Sequence, residues 1–386
     1  MRIFYFARID IEANDAGARH VLETCKQFAS IGHEIFLFIP DLGSNLKLSG
    51  VSIIQVPVIV RKPAFTYFSF HAVLFLYLLY HCLTNKPDAV YTRQQTLEWW
   101  ATWLKVIFRL RYAIEVNGLP LIELKMSQAP KWIASVTRIM EWICYRFPDF
   151  WVVPTTHIRD FLCKKYRLHP KLFLVVSNGA NDNVFFPIDQ RSCQDQLGLS
   201  SEKKYLLFMG GFRKWHGILD LIEIMPDLID SNPNVNLLLV GEGELTAGLR
   251  EKVEAMDISD NVIFCGRQPL KEMPVYINAA DICLAPFFDE RSQHTGLSPL
   301  KIFEYMACGK PIIASALGGL DNLFKTYDMG EVVSSSDAKM WTTTILSLLN
   351  NPVRMKSCGK NGRRAVLEKF NWKIISESIL NRLSDN

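Results

Sequence analysis

The segment GLSPLKIFEYMACGKPIIAS, residues 296–315, sets a lysine and a carboxylate three positions apart, Lys301 and Glu304, behind a Gly-Leu-Ser-Pro loop and ahead of an apolar run. This pattern predicts a loop over residues 296–299 and a helix from about Leu300 to Cys308. The free N–H groups and the dipole at such a helix start favour an anion. Lys301 brings a positive charge to the same place, and Glu304, one turn further on, is an acceptor suited to a pair of sugar hydroxyls. A diphosphate joined to a ribose has both features. On its own the segment is better read as a capped helix with an ordinary surface Lys and Glu. A second stretch, GGFRKWHGILDLIE at residues 210–223, also follows an apolar run and opens a helix, with Arg213 and Lys214 in its loop.

Both loops need strands behind them. Strand-like apolar runs recur at residues 2–7, 34–39, 52–58, 88–92, 112–116, 150–153 and 172–176, with helix-length segments between most of them. A second set, KYLLFMGG, VNLLLVGEGE, VIFCG, ICLAPF, PIIAS and GEVV, occupies residues 204–333. Apolar runs alternating with helical patterns are the signature of an open parallel sheet. The expected class is therefore α/β, two Rossmann-like doubly wound halves facing a cleft. Residues 1–180 form the first half and 181–369 the second, and a helix at about 370–386 returns to the first half. The division falls near SNGANDNVFFP, residues 177–187, where Asn, Gly and Pro accumulate.

At 386 residues, 49% hydrophobic and 21% charged, the chain has globular composition and is long enough for two cores. Nine scattered cysteines with no CxxC give neither a disulfide framework nor a zinc site and fit a reducing cytoplasm. The start, MRIFYFARID, reads as a first strand and not as a signal peptide. The net charge of +4 is unevenly spread: residues 1–190 carry 21 Lys and Arg against 15 Asp and Glu, and six of the nine tryptophans. Cations interleaved with Trp mark a membrane-interface face or, equally, an aromatic-rich core with solvated lysines around it. The charge-free segment FTYFSFHAVLFLYLLYHCL, residues 65–83, sits where a crossover helix belongs. It is read first as a buried helix, second as a helix dipped into a bilayer surface, and third as a membrane span.

Taken in order, GGFRKWHGILDLIE, LVGEGEL, CGRQPLKEMPVYINAADICLAP and the 296–315 segment resemble the C-terminal domain of retaining glycosyltransferases of family 4, which have the GT-B fold. NDAGARHVLE, GHEI, DAVYTR, EVNG and VVSNGANDNVFFP are similar to that family's acceptor-domain signatures, and CGKNGRRAVLEKFNWKIISESIL to its C-terminal segment. The resemblance covers nearly the whole chain. It implies that Arg213 and Lys301 bind the donor diphosphate and Glu304 the ribose hydroxyls, and that the loop of Gly296, Leu297 and Ser298 meets the donor sugar through its backbone. Gly211, Lys214 and Gly241 line the donor side, Arg267 marks the base, and Gly17 with Asp15 marks the first-domain loop nearest the reacting sugar. Arg19 and His20 follow as acceptor-side candidates, and His157 as a further polar contact. Three positions depart from the family. Gly296 stands where many members have an acid, His216 where they often have Lys, and Asn117 where a histidine is common. An amide cannot take a proton, so Asn117 is expected to orient a hydroxyl at the catalytic position.

The resemblance implies sugar transfer from a UDP- or GDP-linked donor to a hydroxyl of a saccharide or lipid-linked acceptor. The expected setting is cell-surface polysaccharide or glycolipid biosynthesis at the inner face of the cell membrane, with no nucleic acid involved. No Asp-x-Asp pair is present to hold a metal on the phosphates, so the expectation is a metal-independent enzyme without a cofactor, in which fixed cations stabilise the leaving diphosphate. A dinucleotide oxidoreductase lacks its GxGxxG after the first strand. A GT-B sugar-nucleotide epimerase and a non-catalytic nucleotide-binding partner subunit remain as alternatives.

Overall fold

The computed structural model describes the chain except residues 14, 59–62, 95–98, 127–129, 288–291, 293–294, 335–336 and 386, and gives only the backbone of 63–69 and 99. It divides into two compact units, residues 1–177 with 372–386, and residues 178–371. Each is built on one all-parallel sheet.

The first unit's sheet has seven strands: β1 (Arg2–Phe6), β2 (Glu34–Pro40), β3 (Val51–Val56), β4 (Ala89–Arg93), β5 (Arg111–Glu115), β6 (Phe150–Val153) and β7 (Phe173–Val175). Their order is β3-β2-β1-β4-β5-β6-β7, so the direction of winding reverses between β1 and β4. Phe4 and Phe6 of β1 point into one core with Phe36, Phe38, Trp100 and Trp151, while Tyr5 points to the other face against Tyr91. Side chains alternating to two buried faces explain why these strands read as continuous apolar runs. Five helices matter below: α1 (Ala16–Ser30), α2 (Pro63–Asn85), α3 (Trp99–Phe108), α4 (Pro120–Met126) and α5 (Lys131–Cys144). Asp15 caps α1 by accepting from the Ala18 N–H at 2.8 Å. The C-terminal helix Trp372–Ser384 packs against α1 within this unit.

The second unit's sheet has six strands: β8 (Lys204–Met209), β9 (Val235–Val240), β10 (Val262–Gly266), β11 (Ile282–Ala285), β12 (Ile312–Ser315) and β13 (Gly330–Val333). The order β10-β9-β8-β11-β12-β13 again reverses beside its first strand, between β8 and β11. Tyr205, Leu207 and Met209 enter one core; Leu206 and Phe208 enter the other. In open sheets of this kind, ligands bind beyond the carboxyl ends of the strands at such a reversal.

The segment 65–83 falls within α2, which is not wholly buried. Among the described residues, no helix is long and apolar enough to cross a membrane. Phe70, Leu74, Leu78 and Cys82 are buried, but Leu76, Tyr80 and Leu83 face outward, each more than 60% exposed. Sequence cannot divide the two faces when both are apolar.

Candidate donor site and a polar cluster in the first unit

The second unit's reversal point is where the two cationic loops meet. After β8 the chain runs through Gly210 and Gly211 and then into a short turn, Lys214–His216, that precedes the helix Ile218–Glu223. Gly241, at the end of β9, has φ +136°, and a β-carbon there would lie 2.0 Å from the Gly210 carbonyl oxygen, so only glycine lets the two strand ends approach. Lys301 extends toward this spot from the first turn of the helix Leu300–Ala307, its Nζ 3.2 Å from where a β-carbon of Gly210 would be. It lies 4.1 Å from the Phe208 ring centroid and 5.3 Å from that of Phe287.

Lys301 is only 9% exposed, and among the described residues its ammonium has no hydrogen-bond partner. Burial, partly offset by Glu304, lowers its pKa from the usual 10.5 to about 7. At neutral pH the group is therefore divided between its charged and neutral forms, burial opposing the full positive charge expected from the sequence. Glu304 is buried one turn along the same helix. Arg213 is exposed and stacks its guanidinium over Trp215 at 5.3 Å. Lys214 is exposed on the same turn, and Arg267 is exposed just beyond β10.

The loop before Lys301 differs from expectation in its amides. The Gly296 N–H already donates to the Ser292 carbonyl at 2.9 Å, and the Leu297 N–H to the Gly318 carbonyl at 2.8 Å. Proline at 299 has no N–H, so among the described residues the uncommitted amides of this turn are those of Ser298, Leu300 and Lys301. Asn178 fixes the loop: its side-chain amide donates to the Ser298 carbonyl at 2.5 Å, and its backbone N–H to Ser298 Oγ at 2.8 Å. The sequence reading did not single out Asn178, although it falls in the Asn-Gly-rich stretch taken for the boundary.

The first-unit candidates gather at the other reversal point, around a residue the reading missed. Glu115, at the end of β5, is fully buried and accepts from Tyr91 at 2.9 Å, Tyr5 at 3.4 Å and Arg93 at 3.2 Å. His20 Nε2 lies 2.9 Å from the same carboxylate, and the Asn117 side-chain amide donates to it. Burial opposes the charge, but His20, Arg93 and Asn117 outweigh it and hold the carboxyl well below the usual carboxylate range. The His20 ring stands edge-on to Trp372 at 5.0 Å. Gly17 lies between Asp15 and Arg93, and Arg19 is half-buried on the first turn of α1. Asn117 is thus an oriented amide held by Glu115. His157 lies on the first turn of the helix Thr156–Tyr166 and, among the described residues, takes part in none of these contacts. Among the described residues, no group of three or more His, Cys, Asp or Glu is placed to hold a metal.

Two all-parallel Rossmann-like units, each with polar residues at the reversal of its strand order, are the architecture of the GT-B fold. Residues 189–365 match the family described as "Glycosyl transferases group 1", and residues 17–184 match "Glycosyltransferase Family 4". The chain belongs to the family-4 glycosyltransferases. It is 28% identical over 223 residues to a D-inositol 3-phosphate glycosyltransferase of Segniliparus rotundus, covering 57% of this chain and 48% of that one. It is 31% identical over 239 residues to a GDP-mannose-dependent monoacylated alpha-(1-6)-phosphatidylinositol monomannoside mannosyltransferase of Corynebacterium glutamicum, covering 59% and 61%. The matches thus span about half to three fifths of these relatives. In fold, Anabaena HepE solved in complex with UDP superposes with a TM-score of 0.79 at 15% identity, covering all of both chains.

Proposed function

We propose that this protein moves a sugar, with retention at the anomeric carbon and without a metal, from a UDP- or GDP-linked donor to a hydroxyl of a lipid-linked saccharide or similar acceptor. It does so peripherally at the cytoplasmic membrane face, in the synthesis of cell-surface polysaccharide or glycolipid. The observation that carries the reading is Lys301, a buried ammonium with no hydrogen-bond partner among the described residues, at the reversal point of a parallel sheet. As the anomeric C–O bond breaks, its electrons pass to the diphosphate. Lys301, Arg213 and the amides of Ser298, Leu300 and Lys301 then meet a charge larger than that of the ground state. Glu304 accepts from the ribose hydroxyls. The HepE complex with UDP supports a nucleotide donor.

The membrane half rests on an exposed apolar face in the first unit. Trp103, Val106 and Ile107 on α3, with Trp132, Val136, Ile139 and Trp142 on α5, point outward. α3 packs against both α2 and α5. Lys131, Arg138 and Arg146 lie exposed on or just after α5, with Arg146 over the Trp142 ring. Tryptophans and cations on one face suit an anionic lipid surface, each cation contributing about 1 kcal/mol. The sequence had not distinguished these residues from Trp100, which is in the core and donates to His71 at 3.1 Å.

Two experiments test the reading. Nucleotide sugars are incubated with a panel of saccharide and lipid-linked acceptors, with and without EDTA, and the product's anomeric configuration is read by NMR. Retention and EDTA-insensitive turnover are expected; inversion, or activity lost to EDTA and restored by magnesium, removes that half of the proposal. Co-sedimentation with anionic vesicles across a salt series should show binding that weakens with salt and is lost in Trp132→Ser/Trp142→Ser. No binding by the wild type at low salt would leave a glycosyltransferase without the membrane.

A further inference from the structure

His216 occupies the innermost position of the Lys214–His216 turn and is not used by the reading above. Its Nδ1 lies 2.5 Å from the Gly211 carbonyl oxygen, which can only accept, so Nδ1 carries the proton and Nε2 is the basic nitrogen. Among the described residues Nε2 has no hydrogen-bond partner. The ring stands edge-on to Phe287 at 6.4 Å, the same ring that lies 5.3 Å from the Lys301 ammonium. His216 therefore lies in the cradle with Lys301 and Arg213, its basic nitrogen unoccupied.

We propose that His216 is a third cation of the donor cradle, one that takes its proton from solvent only when the diphosphate arrives. The inference rests on the cradle's being a diphosphate site. In the empty protein the ring is neutral: burial first, then the positive charges of Lys301 and Arg213, lower its pKa to about 4, against the Gly211 bond, which favours the charged form. Among the described residues those two cations are the charged groups that act on it, with no carboxylate beside them; Lys214 on its own turn is exposed. An anionic phosphate oxygen about 4 Å away, at an effective dielectric of about 20, moves such a titration up by about 3 pH units, to about 7. The proton that forms N–H at Nε2 comes from the medium, and no other bond changes. A permanent cation at this position would add to the mutual repulsion of the empty cradle; a histidine adds its charge only against the ligand.

The proposal predicts a proton count that separates the two titrating groups. Binding of UDP-glucose and of GDP-mannose is followed by isothermal titration calorimetry in buffers of different ionisation enthalpy. These donors have both phosphates esterified and bring no titrating proton of their own. At pH 6, where Lys301 is already charged, the wild type should take up about 0.9 proton through His216 on the shift estimated above. His216→Asn, whose amide can keep the bond to the Gly211 carbonyl without titrating, should take up about 0.1. At pH 8 both proteins should take up nearly one proton, through Lys301. Equal uptake by the two at pH 6 with donor bound overturns the role of His216 and leaves the donor site standing. A wild type that binds neither these donors nor UDP or GDP overturns the nucleotide reading itself.

Discussion

Replacing Lys301 by Met should make the second unit more stable while it destroys turnover. The ammonium is buried, without a hydrogen-bond partner among the described residues, and its pKa falls from 10.5 in the usual lysine to about 7. By linkage that costs the folded state about 4 kcal/mol at pH 7. The contacts with Phe208 and Phe287 return about 2 kcal/mol. A methionine of similar length keeps the packing and removes the charge, so the net gain is about 2 kcal/mol, or roughly 4–8 °C in the melting of a unit of this size. The sign fixes a second signature. The unfolded chain binds more protons than the native one between pH 7 and 10.5, so wild-type stability rises across that window, by about 2 kcal/mol from pH 7 to 9. Lys301→Met lacks that rise. Turnover should fall by about 10²–10³ if the ammonium faces charge that develops only as the sugar leaves. Scanning calorimetry at pH 7 and 9 with a donor-turnover assay measures both. A Lys301→Met protein that melts at or below the wild type, or retains turnover, refutes the reasoning.

Glu304→Gln should weaken binding of UDP or GDP, whichever binds, roughly tenfold or more, and that of the 2′,3′-dideoxy counterpart little; equal losses would make Glu304 a support for its helix. Glu115→Gln should destabilise the first unit most at neutral pH. A carboxylate held below its usual range contributes stability that is full above about pH 4.5 and is lost as pH falls, so urea melts of mutant and wild type should converge toward acid. Gly241→Ala should lower stability and abolish nucleotide binding together, since its β-carbon meets the Gly210 carbonyl at 2.0 Å; a well-folded variant with intact binding would contradict the close strand approach.

The parallel sheets were legible because strands buried on both faces are continuous apolar runs of a length helices do not share, and most strand positions follow directly from them. The donor loops were legible because glycine, a cation and a helix start lie together in sequence at 210–217 and again at 296–304. The cluster around Glu115 was not. Its partners come from β1, β4 and α1, and a single Glu ending an apolar strand gives no sign of them. Tryptophans at 100 and 103 differ by one helical turn, yet one is in the core and the other is 58% exposed. Residue type alone cannot make that division on a helix apolar all round. The committed amides of Gly296 and Leu297 depend on Ser292 and Gly318, contacts that only the folded loops create.

The central claim is that the Lys301 cradle holds a nucleotide diphosphate sugar. Protection against heat unfolding by UDP-glucose, UDP-galactose, UDP-N-acetylglucosamine and GDP-mannose, measured on the wild type and on Lys301→Met without added metal, tests it most directly. The account predicts that at least one donor raises the wild-type melting temperature in a concentration-dependent way, and that the same donor leaves the more stable Lys301→Met protein unmoved. No shift with any of them in the wild type, or an equal shift in both proteins, would contradict it.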